Sequence, residues 1–394
     1  MEKKKFVYLD NATTTPISSE VYREMLDAYN KLYGDSSSLY SQGREANAAL
    51  EAAREKIASA IGAKTNEIYF TSGGTEANNW AIKGLARANK HNGNHIITSV
   101  IEHPSVLESC KELEAEGFRV TYIPVDEFGV VKYAEIIKAM GPDTILISIM
   151  TANHEVGSIQ PIRAIAELAR ANDVIFHTDA VLALGAIDIN VKEMKIDALS
   201  LSSHKIYGPK GVGALYVRGG VKISKFMSGA HQERDMRAGC TNLPCIVGFA
   251  KAVERAAENV EENNKYLRSV RRYFLKSVSE RIHNVSLNGH PTQRLAGNAS
   301  ISFEGAEGES VLYMLDKEGI SVSTTSACAT HNLLPNQVLC SMGKSEEANT
   351  TIRFSFGLNN TKEDVDYTVN KLQKAVKKVR SISAVRIYRN KVEL

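Results

Sequence analysis

Thr144-Ile145-Leu146-Ile147-Ser148-Ile149-Met150 is apolar at almost every position. A strand without a polar alternate face must be covered on both sides, as in a parallel sheet held between helices. The same texture spreads outward from it. Upstream, extended His95-Ile96-Ile97-Thr98 precedes a helix-period segment from Ser105 to Glu116, and Val120 to Pro124 precedes Tyr133 to Met140. Further back, Ala48 to Ile61 reads as a helix, Glu67 to Phe70 as a strand and Glu76 to Ala88 as a helix; downstream, Pro161 to Asn172 is helical and Val174 to Asp179 extended. This alternation predicts an α/β doubly wound fold with a mostly parallel sheet.

After Val217 the texture changes. One long charged helix is expected from Ala250 to Ser277, bridging two units. Strand-like Ala299 to Phe303, a helix from Ser310 to Lys317, strand-like Thr351 to Ser355 and a last helix from Lys362 to Val379 then read as a smaller α+β unit. The expected division is a large domain over 15–260 and a small one built from 1–14 and 261–394. No repeat, low-complexity stretch or linker separates them.

Composition narrows the function. The 394 residues carry 48 Lys+Arg against 45 Asp+Glu, a formal charge of +3 too small and too dispersed for a nucleic-acid or membrane partner, so a small ligand is expected. The five cysteines, Cys110, Cys240, Cys245, Cys328 and Cys340, show no CxxC spacing, which argues against a disulfide framework and a metal site and suits a reducing cytoplasm. The basic start runs straight into Phe6-Val7-Tyr8-Leu9-Asp10, with no signal-like apolar region after it and no stretch of membrane-spanning length anywhere.

Clusters at the expected C-terminal ends of strands, where open α/β sheets hold ligands, carry the chemistry. Thr71-Ser72-Gly73-Gly74-Thr75-Glu76 leaves backbone N–H groups open to a phosphate at a helix N-terminus; a tight turn capped at Thr75 would look the same. Ile101-Glu102-His103-Pro104 sets an imidazole at a strand mouth, able to stack on a flat ligand or move a proton, or merely to stand by. Val174 to Asp179 ends by pushing a carboxylate into the crevice, to be matched by a protonated pyridine nitrogen or by a nearby cationic side chain. In Ser202-Ser203-His204-Lys205-Ile206-Tyr207-Gly208-Pro209, a lysine at the mouth of an apolar strand loses solvation, so its amine can form an imine with an aldehyde. Asp179 precedes Lys205 by 26 residues and a Gly-rich phosphate turn lies upstream, which together is the constellation of a fold-type I pyridoxal-phosphate enzyme.

With these motifs, and with Tyr8-Leu9-Asp10-Asn11-Ala12-Thr13-Thr14 and Ile352-Arg353-Phe354-Ser355 at the two ends, the chain resembles the NifS/IscS-type cysteine desulfurases of the class V aminotransferase group over nearly its whole length. The resemblance implies a fold-type I transferase using pyridoxal 5'-phosphate, with Lys205 as the cofactor lysine, Asp179 as partner of the ring nitrogen and His103 over the ring. It implies Gly74, Thr75, Ser202 and His204 as phosphate and cofactor contacts, and Asn11 and Arg353 as substrate contacts. Cys328, in Ser326-Ala327-Cys328-Ala329, becomes the thiol that takes sulfur from L-cysteine as a persulfide and releases L-alanine. Without the resemblance, Cys328 reads as a packing thiol and Arg353 as a surface charge. Family members form homodimers, and those with the longer cysteine loop pass sulfur to acceptors such as an iron–sulfur scaffold.

Departures from the family pattern cluster near the expected cofactor. Asn153-His154-Glu155 has histidine where relatives face the ring hydroxyl with asparagine, and Asp179-Ala180-Val181-Leu182 has leucine where they place glutamine. A histidine donor replacing both amides, with Leu182 making room for it, is the expected compensation. Cys240 stands where relatives reach the partner subunit's phosphate with a threonine, and 229–235 lacks glycines usual there. The expected activity is cysteine desulfuration. The alternatives are another class V enzyme acting on selenocysteine or a modified cysteine, and a weakly catalytic binding partner in sulfur trafficking.

Overall fold

A computed structural model describes residues 5–324, 336–382 and 392–393. β1 (Val7–Tyr8) leads into α1 (Ser19–Lys31) and α2 (Ser41–Ala60). The alternating region follows as β2 (Ile68–Thr71), α3 (Gly74–Asn89), β3 (His95–Ser99), α4 (Pro104–Ala115), β4 (Arg119–Ile123), α5 (Tyr133–Ala139), β5 (Thr144–Ser148), α6 (Ile162–Ala171) and β6 (Ile175–Asp179). β7 (Ala198–Ser202) and β8 (Gly213–Val217) complete a seven-stranded sheet of order β2-β8-β7-β6-β5-β3-β4. Its pairings are parallel except those of β8, which runs against both neighbours.

The apolar run at 144–150 is explained by where its side chains go. Leu146 packs with Trp80, Ile82 and Leu113 of α3 and α4 on one face, while Ile147 packs with Ile57, Ile165 and Phe249 of helices on the other. Truncating either fully buried side chain to alanine would cost about 2–5 kcal/mol.

α7 (Leu243–Glu258) and α8 (Val260–Arg281) replace the single helix expected from Ala250 to Ser277. They break at Asn259, whose φ of −124° and ψ of 20° are not helical and whose Nδ2 donates to the Arg255 carbonyl. The asparagine amide competes for the backbone, and the apolar period runs on past the break because the residues on either side still pack inward. Sequence periodicity also passed over α1. Only its Val21 and Ala28 are buried, while Tyr22, Leu26 and Tyr29 face outward.

A second sheet gathers β9 (Val285–Asn288), β10 (Asn298–Phe303), β12 (Ser323–Thr324), β13 (Thr351–Ser355) and β14 (Val392–Glu393), in the order β12-β13-β10-β9-β14. β11 (Ile320–Ser321) pairs with β1. α8, α9 (Gly308–Lys317) and α11 (Lys362–Ile382) cover a separate core around Phe274, Phe303 and Phe354, which Val7 and Leu9 of the N-terminal segment join. α10 (Gln337–Ser341), with Met342, packs back onto the first core. The N-terminal segment thus crosses between the cores directly above the C-terminal ends of β6 and β7.

Candidate functional site

The strand ends β2, β3, β5, β6 and β7 surround a cavity of about 500 Å³, to which Arg353 of β13 and residues 12–13 add the opposite wall. At the end of β2, α3 begins at Gly74 with Gly73 as its cap, and no side chain caps the helix, so the tight-turn alternative with Thr75 as cap does not hold. A side chain at Gly74 would meet Val181 Cγ2 at 2.5 Å, which is why the turn needs glycine there. Ser202, at the end of β7, lines the same corner with a buried Oγ that has no hydrogen-bond partner among the described residues.

Asp179 ends β6 with both oxygens held: Oδ2 accepts from Asn78 Nδ2 at 2.7 Å and Oδ1 from the Val181 N–H at 2.9 Å. His103 caps α4, its Nδ1 accepting from the Ser105 N–H at 3.1 Å, and Pro104 supplies the first turn without an unsatisfied N–H. Burial holds the His103 imidazole below its ordinary value; Asp179 opposes the shift and Lys205 adds to it. His154 packs edge-on to His103, with ring centroids 5.5 Å apart, and its buried Nδ1 has no partner among the described residues. Burial, then His103, Arg353 and Lys205, keep His154 neutral by holding its value well below the usual one. Leu182 lines the same cavity.

Lys205 stands on a single turn after β7, and its Nζ donates to the Ala12 and Thr13 carbonyls, each at 2.6 Å. Beside it, His204 Nδ1 lies 3.1 Å from Thr14 Oγ1; burial and then Lys205 and Lys210 push this imidazole down to about 4. The N-terminal segment therefore lies across the lysine.

Arg353 is 4% exposed, which excludes the surface-charge reading. One terminal nitrogen donates to the His154 carbonyl at 3.0 Å and Glu155 Oε1 at 3.2 Å, the other to Asp10 Oδ1 at 3.0 Å and Thr13 Oγ1 at 2.7 Å. Burial raises the Glu155 carboxyl despite Arg353.

The structure thus brings together Gly74, Thr75, His103, His154, Asp179, Leu182, Ser202, His204, Lys205 and Arg353. Asn11 is turned away: it lines a neighbouring cavity of about 640 Å³ that shares Ala12, Leu182 and Lys205 with the first, and its Nδ2 donates to the Ser355 carbonyl. Cys240 is exposed outside both cavities. Its segment is anchored by Glu233, which makes a two-pronged pair with buried Arg54 at 2.8 and 2.9 Å and accepts from the Phe70 N–H. That anchorage holds Glu233, Arg234 and Asp235 at φ of 46°, 57° and 67°, a left-handed run that glycine adopts without strain. Cys328 lies outside the described residues.

Sequence reading gave no role to Asn78 or Ser105, and quoted Asp10 and Glu155 only within motifs without seeing their pairing with Arg353. It quoted Glu102 but weighed only its neighbour. Buried Glu102 accepts from Ser99 Oγ at 2.6 Å and the Met150 N–H at 3.0 Å, tying β3 to β5 beneath the cavity, and burial pushes its carboxyl up to about 8.

Among known proteins, a family profile described as Aminotransferase class-V matches residues 7–368. A cysteine desulfurase IscS of Methanosarcina thermophila is 50% identical over 382 residues, covering 97% of this chain and 94% of the relative. A solved NifS-like protein superposes with a TM-score of 0.90 at 37% identity, covering 95% of this chain and all of that one. SspA, solved in complex with cysteine, gives 0.79 at 35% identity, covering 89% of this chain and 98% of that one.

Proposed function

The chain belongs to the class-V aminotransferase family, and from that premise we infer that it is a pyridoxal-phosphate-dependent cysteine desulfurase, releasing L-alanine from L-cysteine and passing the sulfur on. The observation that supports this best is the convergence of Lys205, Asp179 and His103 on one cavity that Ser202 Oγ and His154 Nδ1 also line, buried and without a partner among the described residues. Ser202 Oγ and the uncapped start of α3 suit a phosphate, and His154 Nδ1 suits a polar ring substituent, so the residues present fit the cofactor.

In our reading Lys205 would hold the cofactor through its amine, Asp179 would face the ring nitrogen, His103 the ring, and Gly74, Thr75, Ser202 and His204 the phosphate side. The bound cofactor supplies an electron sink that lets the substrate's bonds be weakened. Arg353 would orient the substrate carboxylate through its planar fork, and Lys205 and His103 hold and move protons at Nζ and Nε2. Cys328 would take the substrate sulfur as a persulfide. Residues 15–260 are proposed as the cofactor domain and 1–14 with 261–394 as the smaller one. The protein would act as a cytoplasmic homodimer in which the Cys240 segment faces the partner subunit, delivering sulfur to an acceptor such as an iron–sulfur scaffold.

The test is Cys328→Ser. It should keep the cofactor's visible absorption and lose persulfide formation from L-cysteine. Release of alanine and sulfide at the parent rate would remove Cys328 from the chemistry.

A further inference from the structure

His103, Ser105, Asn78 and Asp179 form a continuous hydrogen-bonded chain from one side of the cavity to the other. Its direction can be read because two of its groups have no choice of role. The Ser105 backbone N–H donates to His103 Nδ1 at 3.1 Å, so in the neutral ring that nitrogen is an acceptor and the proton sits on Nε2. At the far end, an Asp179 carboxylate oxygen accepts from Asn78 Nδ2 at 2.7 Å, which fixes which way the Asn78 amide faces. The same Nδ2 donates to Ser105 Oγ at 2.9 Å. With its oxygen engaged in this way, the Ser105 hydroxyl directs its hydrogen to His103 Nδ1, 2.8 Å away. Two donors therefore converge on Nδ1. Asn78, Ser105 and Asp179 are all buried, so water does not compete for these bonds.

We propose that Asn78 and Ser105 are positioning residues that lock His103 in its Nε2–H tautomer and couple it to the carboxylate of Asp179. His103 makes no hydrogen bond through Nε2 to a described residue, and the ring lines the cavity beside Lys205 and His154. It thus meets a ligand as a donor, and accepting a proton falls to Lys205. The division of labour between these two groups rests on the functional reading above; the tautomer itself does not.

Cofactor-loaded protein with ¹⁵N-labelled histidine tests this by NMR, the His103 ring signals being those lost in His103→Gln. The parent should show hydrogen on Nε2 and none on Nδ1. Ser105→Ala removes one donor to Nδ1, and Asn78→Ala frees the hydroxyl to turn and accept from a protonated Nδ1. Either should raise the His103 titration midpoint by about half to one pH unit. The groups facing the ring, Asp179, Lys205 and His154, stay in place in both variants. Because the two changes cut one chain, the double variant should titrate no higher than the single ones. A proton on Nδ1 in the parent, an unchanged midpoint in both variants, or additive shifts would overturn the proposal. If Asn78→Ala does not fold, the parent spectrum and Ser105→Ala decide alone. Failure to release alanine from cysteine would count against the enzymatic reading and leave this result untouched.

Discussion

The two walls of the cavity differ in which polar groups they leave to a ligand. The wall made by the large sheet leaves Ser202 Oγ, His154 Nδ1 and Asn78 Oδ1 buried without partners among the described residues, although its scaffold is held through Glu102, Ser105 and the β-ladder. The wall that carries Arg353 has its guanidinium engaged by the protein's own Asp10, Thr13 and Glu155. Desolvated polar atoms without partners cost about 1–3 kcal/mol each, so the first wall holds binding energy in reserve for a ligand. On the second, Glu155 Oε2 is also buried without a partner among the described residues, but a carboxylate reaching the terminal nitrogens of Arg353 must displace a protein group. On the function proposed above, the cofactor side would therefore be largely prebuilt, while the substrate side would work by exchange of partners at Arg353.

The largest effect expected from this difference is on stability. Arg353→Ala would leave Asp10 and Glu155 close together without their cation and should cost about 3–5 kcal/mol in denaturant unfolding. A loss below 1 kcal/mol would mean that the internal pairs contribute little. On the other wall, His154→Ala should weaken cofactor binding by about ten- to a hundredfold, the value of one hydrogen bond to a charged group. His154→Asn with Leu182→Gln should recover much of it. Titrating cofactor into the three apo-proteins checks this, and equal affinities would show that the unsatisfied Nδ1 has no ligand partner.

Exchange at Arg353 has its own signature. Asp10→Asn removes a competing carboxylate while keeping the side chain's shape, so the KM for L-cysteine should fall by about three- to tenfold. A rise would show that Asp10 only braces the guanidinium.

A slope with pH tests how firmly the large-sheet wall is held. Glu102 has a folded value of about 8 against about 4.5 when exposed. The folded state thus binds the extra proton between those values, and the stability it brings is full below about pH 4.5 and lost as pH rises through about 8. Melting temperature should fall over that window in the parent and fall less in Glu102→Gln.

How much of this was legible in the sequence follows from the kind of interaction involved. Strands buried on both faces announce themselves by unbroken apolar runs, so β3, β5 and β6 were placed to within a residue or two, and with them the ends that present His103 and Asp179. The turn at Gly74 and Lys205 were legible only together with Asp179, because alone the turn reads equally as a capped tight turn and the lysine gains meaning from a carboxylate 26 residues before it. Asn78 was not, since an asparagine inside a helical period carries no sign that it faces a carboxylate 101 residues away. The pairing of Asp10 and Glu155 with Arg353 escaped for the same reason, since it joins residues 343 and 198 positions apart. α1 escaped notice because its apolar side chains point outward, against the rule on which the reading depends.

That the large-sheet wall is built to hold the cofactor at Lys205 is tested most directly by borohydride reduction of the cofactor-loaded protein, followed by peptide mapping. The fixed cofactor should appear on the peptide containing Lys205, and Lys205→Ala should fold and yield no fixed cofactor. Cofactor fixed to another lysine in the parent, or still fixed in Lys205→Ala, would contradict it.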